Sequence, residues 1–221
     1  MRHSRKAGPP PPLEYAGAAT AGALSFELSI GNDAVFVNAG APGPANQDWL
    51  ATARATASHN TVCLNATSSS RLLRNKLLNQ LVRAAPIRYP DIVTHEIAKE
   101  ADRTILRASH NGYERNFTIT HRRELSLSKS GNRLAGEDII GGSGASVRLA
   151  RDLPYAIHFH LDCAAACRHD DDPAAALIEL PGGTTWRFRV SGATLSIEDS
   201  ISFTDLAGPT RTSDIVLRGA T

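Results

Sequence analysis

The 221 residues contain no run of eighteen apolar residues, which excludes a membrane-spanning helix. A basic surplus is also missing. Lys plus Arg number 24 against 22 Asp plus Glu, a net charge of +2, so nothing calls for nucleic acid as a partner. Cysteine is scarce: Cys63, Cys163 and Cys167 are odd in number and too few for a disulfide framework. They read as free, buried thiols and leave the compartment open. Lysine is scarcer than its charge class predicts, with four against twenty arginines. Guanidinium forks carboxylates and phosphates better than ammonium does, which fits an acidic ligand. GC-rich codon usage fits the same excess, as it fits the abundant alanine. The N-terminus, MRHSRKAGPPPP, is basic but lacks an apolar core, so it is not a secretory signal. Its four consecutive prolines mark residues 1–12 as a disordered, extended tail and residues 13–221 as the folded domain. A hydrophobic share of 42% is too high for wholesale disorder.

What is present reads as strand after strand. Leu24, Phe26, Leu28 and Ile30 alternate with Ser25, Glu27 and Ser29, the period-2 pattern of a half-buried strand. Asn32-Asp33 then turns into a second strand over Ala34 to Val37. Further strands are expected around Phe117 and Ile119 and over Arg123 to Ser128, Leu134 to Ile140, Ile157 to Leu161, Leu177 to Leu180, Thr185 to Val190, Thr194 to Ile197 and Ile215 to Leu217. Turn signals at short intervals without alternating helices predict an all-β, antiparallel β-sandwich of two large sheets, with one or two short helices at most. Arg71 to Arg83 breaks the pattern: its leucines fall at roughly helical spacing, as in a short helix laid on the sheet.

Several segments carry groups suited to chemistry. In Arg54-Ala55-Thr56-Ala57-Ser58-His59-Asn60-Thr61-Val62, an Arg, a Thr and a His lead directly into a strand and place polar groups at a sheet rim. His59 reads either as a cleft-facing contact or as a hydrogen-bonded rim histidine fixing the turn before Thr61. His110 precedes Asn111-Gly112-Tyr113, a turn in which glycine permits positive φ. It reads as a sugar contact with Tyr113 stacking beside it, or as a turn cap. His158 and His160 alternate with Ile157, Phe159 and Leu161, so both point away from the apolar face like an i, i+2 metal pair, but the sequence offers no evident third ligand. Asp170 to Asp172 read as an exposed acidic loop, without the spacing of a calcium loop.

Taken in order, Leu24-Ser25-Phe26-Glu27-Leu28, Val37-Asn38-Ala39-Gly40, the block through His59-Asn60-Thr61, Ser109-His110-Asn111-Gly112-Tyr113 and His121-Arg122-Arg123-Glu124-Leu125 resemble the C-terminal β-sandwich of the heparinase II/III-like polysaccharide lyases. The resemblance runs from about Ala19 to Leu217. It implies β-elimination on acidic, uronate-containing glycans, in which a base takes the proton α to the carboxyl and an acid assists the departing oxygen. In that family an α/α toroid supplies the catalytic side chains, so none is assigned here. The expected partners are an acidic polysaccharide and an α/α toroid domain or subunit, and the chain is expected to be inactive alone. The other expectation is a stand-alone, non-catalytic carbohydrate-binding or structural module. Arg54, Asn60, His110 and Tyr113 are the expected substrate contacts. Some members hold zinc at three positions that match Thr20, Asn38 and His59. Only His59 is a strong ligand, so the resemblance implies weak zinc there or none. Export of a complete protein would place it in the periplasm. Without a toroid to pack on, an uncovered sheet edge and apolar patch are expected to drive self-association.

Overall fold

The structure, a computed structural model, describes residues 3–5, 19–43, 48–71, 86, 88–142, 152–203 and 208–221. The segment expected as a helix lies outside these residues but for Arg71, whose backbone bridges Arg88. The expected tail also lies outside them, except that β1 (His3–Arg5) pairs with β2 (Phe26–Ile30).

Strands make up more than half of the described residues, and the four sheets pair antiparallel throughout. One sheet runs β1-β2-β3, ending with β3 (Asp33–Phe36). A four-stranded sheet joins β4 (Val62–Leu64), β9 (Pro154–His160), β13 (Thr194–Ser202) and β14 (Thr210–Ala220) in the order β13-β14-β9-β4. The second large sheet is a meander of β5 (Ile92–Lys99), β6 (Arg103–His110), β7 (Ile119–Ser128) and β8 (Leu134–Gly142). A smaller one holds β10 (Ala166–His169), β11 (Ala175–Glu179) and β12 (Thr185–Arg189). The helical elements described are brief: α1 (Leu50–Arg54), a 3₁₀ turn over Thr56–Ser58, and α2 (Glu114–Phe117). Phe117, expected in a strand, thus ends a helical turn, and the strand begins only at Ile119, after left-handed Thr118.

All four sheets feed one apolar core, because alternation turns one face of each strand inward. Phe26 and Leu28 enter from β2, Leu125 from β7, Ile157 and Phe159 from β9, Ile178 from β11, and Ile215 and Leu217 from β14. Phe36 and Phe159 meet at 5.4 Å between ring centroids, and Phe188 closes on both. Strands β5, β6 and β10 have no counterpart in the sequence-based reading. β5 is an edge strand carrying His95, Glu96 and Lys99, largely exposed, so it has no apolar face to alternate. Exposed large apolar side chains among the described residues are Trp49, Val93 and Ile139. The cysteines are free as expected, but Cys163 is exposed and Cys167 half-buried.

Candidate functional site

The segment from Arg54 to Thr61 crosses from α1 into β4, and all of its polar residues are buried, so their hydrogen bonds must be found inside the protein. Thr56 Oγ1 donates to the Ala21 carbonyl at 2.7 Å and accepts from the Ser69 backbone N–H at 2.8 Å. His59 Nδ1 donates to the Ala55 carbonyl at 2.8 Å, closing the turn. Asn60 is a hub. Its Nδ2 donates to the Phe26 carbonyl (2.9 Å), its Oδ1 accepts from the His160 N–H (2.7 Å), and its own N–H donates to Asn38 Oδ1 (3.1 Å). Through its side-chain amide and its backbone N–H, this one residue ties β2, the loop after β3 and the end of β9 together.

A second buried network runs behind it. The Gly112 N–H donates to His110 Nδ1 at 3.0 Å, which leaves His110 only Nε2–H to donate. That nitrogen lies 3.1 Å from His121 Nδ1, so His121 in turn carries its proton on Nε2, 2.6 Å from Asp138 Oδ1. Every member is satisfied with both rings neutral. Burial pushes both histidines below their ordinary value, with the charge of Arg123 adding to the effect. Asp138 goes the opposite way: burial would raise it, but the Arg123 charge and the hydrogen bonds from His121 and Arg123 hold it well below the usual carboxylate range. Arg123 forks Asp138 through Nε (2.8 Å) and Nη2 (3.0 Å). Its Nη1 donates to the carbonyls of Leu24 and Asn60, and its guanidinium lies 5.5 Å from the Phe26 ring centroid. This one side chain, 3% exposed, joins the meander sheet to the segment through Asn60.

Both networks brace the walls of a cleft of ≈ 960 Å³. On one side lie residues 66–71, anchored through Ser69 to Thr56; on the other lie Asn111, Gly112 and α2, anchored through Gly112 to His110. Arg71, Arg88 and Arg115 line it and are exposed, against the single carboxylate of Glu114. Tyr89 also lines it. Burial raises its phenol above the ordinary value while the charge of Arg54 pulls the other way. Gly112 is required for space rather than for positive φ: a Cβ there would stand 2.5 Å from the Ser69 carbonyl oxygen, across the narrow base of the cleft.

The four residues expected as substrate contacts are buried and absent from the lining of this cleft. Asn60, His110 and Tyr113 have no exposed surface, and Arg54 is 5% exposed. Tyr113 donates its hydroxyl to the Val62 carbonyl at 2.7 Å instead of presenting a ring to a sugar. These residues support the walls and do not line them. The lining arginines escaped the sequence-based reading, although Arg115 directly follows the His110-to-Tyr113 motif and Arg71 and Arg88 flank the leucine-rich stretch. Of the three zinc positions, His59 is committed to its turn, and Asn38 is engaged at both ends of its amide, with Nδ2 donating to Glu27 Oε1 at 2.9 Å. His158 and His160 do face away from the core, and a third ligand joins them after all: Asp214 of β14, directly across from His160.

An antiparallel sandwich with an arginine-lined cleft braced by a histidine–aspartate–arginine network is a fold suited to holding anionic ligands. The family model for the heparinase II/III-like C-terminal domain matches residues 4–221, so the chain belongs to that family. Among solved structures it is similar to the heparan sulfate lyase HepC from Pedobacter heparinus, with a TM-score of 0.64 and 13% identity over 89% of this chain and 27% of that one. It is similar also to a heparinase III with methylated lysines, at a TM-score of 0.64 and 14% identity over 91% of this chain and 28% of that one. The chain thus spans little more than a quarter of the length of these structures, and the likeness establishes the shared fold. No curated protein matches the sequence.

Proposed function

We propose that this chain is the β-sandwich portion of a polysaccharide lyase that acts on acidic, uronate-containing glycans by β-elimination, and that its cleft docks the glycan's anionic groups. The observation that carries this reading is the trio Arg71, Arg88 and Arg115 lining one cleft in a member of this family. Guanidinium groups pair bidentately with carboxylate and sulfate, and here they are held out to solvent at the rim. The heparan sulfate lyases it resembles act on a polysaccharide of that kind. β-Elimination needs a base for the proton α to the carboxyl, an acid for the leaving oxygen and positive charge at the enolate-like intermediate. The cleft offers the positive charge. His110 and His121 lie buried behind it in a closed hydrogen-bond relay, so they brace the site and exchange no proton with a substrate. The base and acid are assigned to an α/α toroid domain or subunit.

The test is binding and turnover by the purified 221-residue chain. Heparan sulfate and alginate oligosaccharides should bind with an affinity that falls as salt rises. The triple variant Arg71→Ala/Arg88→Ala/Arg115→Ala should weaken binding on the order of tenfold, since exposed ion pairs contribute ~0.2–1 kcal/mol each. Absorbance from unsaturated uronates should stay flat. Glycan binding untouched by the triple variant would move the docking surface elsewhere, and turnover by the chain alone would end the division of labour proposed here.

A further inference from the structure

We infer that His158, His160 and Asp214 form a zinc-binding site on the face of the sheet β13-β14-β9-β4 turned away from the apolar core, separate from the cleft and from the positions matching the family's zinc ligands. The ligand atoms of the three residues all lie within 4.8 Å of one another. Strand geometry explains why. His158 and His160 are two apart on β9 and so share a face, and their rings stand nearly parallel, 8° between planes with centroids 5.7 Å apart. Asp214 is the cross-strand partner of His160 in the β14–β9 ladder, so its carboxylate projects on the same side.

The donor atoms are arranged as a metal requires. His160 Nε2 donates to the Ala57 carbonyl at 3.0 Å, the second-shell bond that fixes the tautomer of a ligating histidine and turns Nδ1 toward the ion. His160 Nδ1 stands 2.8 Å from Asp214 Oδ1. His158 Nδ1 stands 3.7 Å from Asp214 Oδ2 and is a buried nitrogen with no hydrogen-bond partner, which is costly unless something binds it. Ligands around tetrahedral zinc are separated by about 3.3 Å for bonds of about 2.0–2.1 Å. The two measured separations bracket that spacing, so small shifts of the carboxylate complete the set. Two imidazoles and one carboxylate suit zinc better than calcium or magnesium, which take oxygen. A fourth position stays for water, reached past His158, whose side chain is 17% exposed. The groups around it are Ser200, on the neighbouring strand β13, and Glu198, which is already paired with Arg218 and Ser196. Through Ala57 the ion would also steady the turn that precedes His59-Asn60.

Titration of chelator-treated protein with zinc chloride, followed calorimetrically, tests this. The wild-type chain should take up one equivalent, and cobalt(II) in its place should show the intense d–d absorption of four-coordination. His158→Ala and Asp214→Asn should each weaken binding at least tenfold while circular dichroism stays that of a folded sandwich. If Asp214→Asn fails to fold, His158→Ala decides the matter alone, since its Nδ1 makes no hydrogen bond to lose. Absence of stoichiometric zinc in the wild type overturns the assignment. So does wild-type affinity in His158→Ala, and retention there with loss in His59→Ala would place the ion at the family-like position instead.

Discussion

Replacing Arg123 by methionine is expected to destabilise the domain by about 3–5 kcal/mol, the cost typical of removing one partner from a buried ion pair. The substitution keeps most of the apolar stem against Phe26 but removes every donor of the guanidinium. Asp138 would then keep only the His121 contact at a site where its side chain is 13% exposed, and the carbonyls of Leu24 and Asn60 would lose the Nη1 donor. Each buried acceptor left without a partner adds to the loss. Urea denaturation followed by circular dichroism measures the effect as a lower midpoint at unchanged slope. Arg123→Met combined with Asp138→Leu should cost less than the sum of the two single changes, because neither charge is then stranded. A midpoint within experimental error of wild type for Arg123→Met would show that the fork is an ornament of the fold and not its pin. Binding at the cleft should fall along with stability, because Arg123 holds Asn60, and Asn60 belongs to the same segment as Thr56, which anchors Ser69.

Acid should unfold the domain from an unusually high pH. His110 and His121 are depressed by burial below the ordinary 6.5, so the unfolded chain binds protons that the folded one refuses. The sign follows directly. Their contribution to stability is intact above pH 6.5 and is lost as pH falls below it toward the folded values. While both rings stay neutral in the fold, the loss runs at about 1.4 kcal/mol per pH unit for each histidine. Geometry gives the same direction independently. Protonating His110 Nδ1 ejects the Gly112 N–H, and protonating His121 Nδ1 sets two donors against each other. The carboxylates act in a separate, lower window: burial would raise Asp214, but the nearby rings of His158 and His160 outweigh it and hold the carboxyl at about 2, so its share is present above 3.8 and disappears between those values. Urea midpoints measured from pH 8 to pH 5 should fall steeply below 6.5, and His110→Phe should flatten the profile. A wild-type midpoint constant across that range would contradict the neutral relay.

The sandwich was legible because alternation is a local property. Phe26, Leu28, Leu125, Ile157, Phe159 and Ile215 all turn inward where the period-2 pattern puts them. Strands β5 and β6 were not, since exposed edge positions carry no alternation, and β6 sets Ile105 beside Leu106. The site was harder for a different reason. The motif residues stood out as polar groups in an apolar context, and such groups are either solvent-facing or bonded inside; sequence does not tell which. Asn60, His110 and Tyr113 prove to be bonded inside. Asp214 was invisible as a third ligand because it sits 54 residues from His160 and meets it only through strand pairing.

The polar hub also bears on how quickly the domain forms and comes apart. Arg123 reaches Leu24 across 99 residues of chain, and Asn60 reaches His160 across 100. Contacts of that span close loops whose entropy must be lost before any bond rewards it, which places this sandwich among slow, millisecond-to-second folders. The hairpins of the meander sheet close locally and can precede docking of the sheets. Bonds at Asn60 and Arg123 are expected to form late, on the native side of the barrier, and so to act chiefly as a brake on opening, which unfolding rates of Arg123→Met would measure. The lifetime of the braced cleft, more than the speed of its assembly, rests on one amide and one guanidinium.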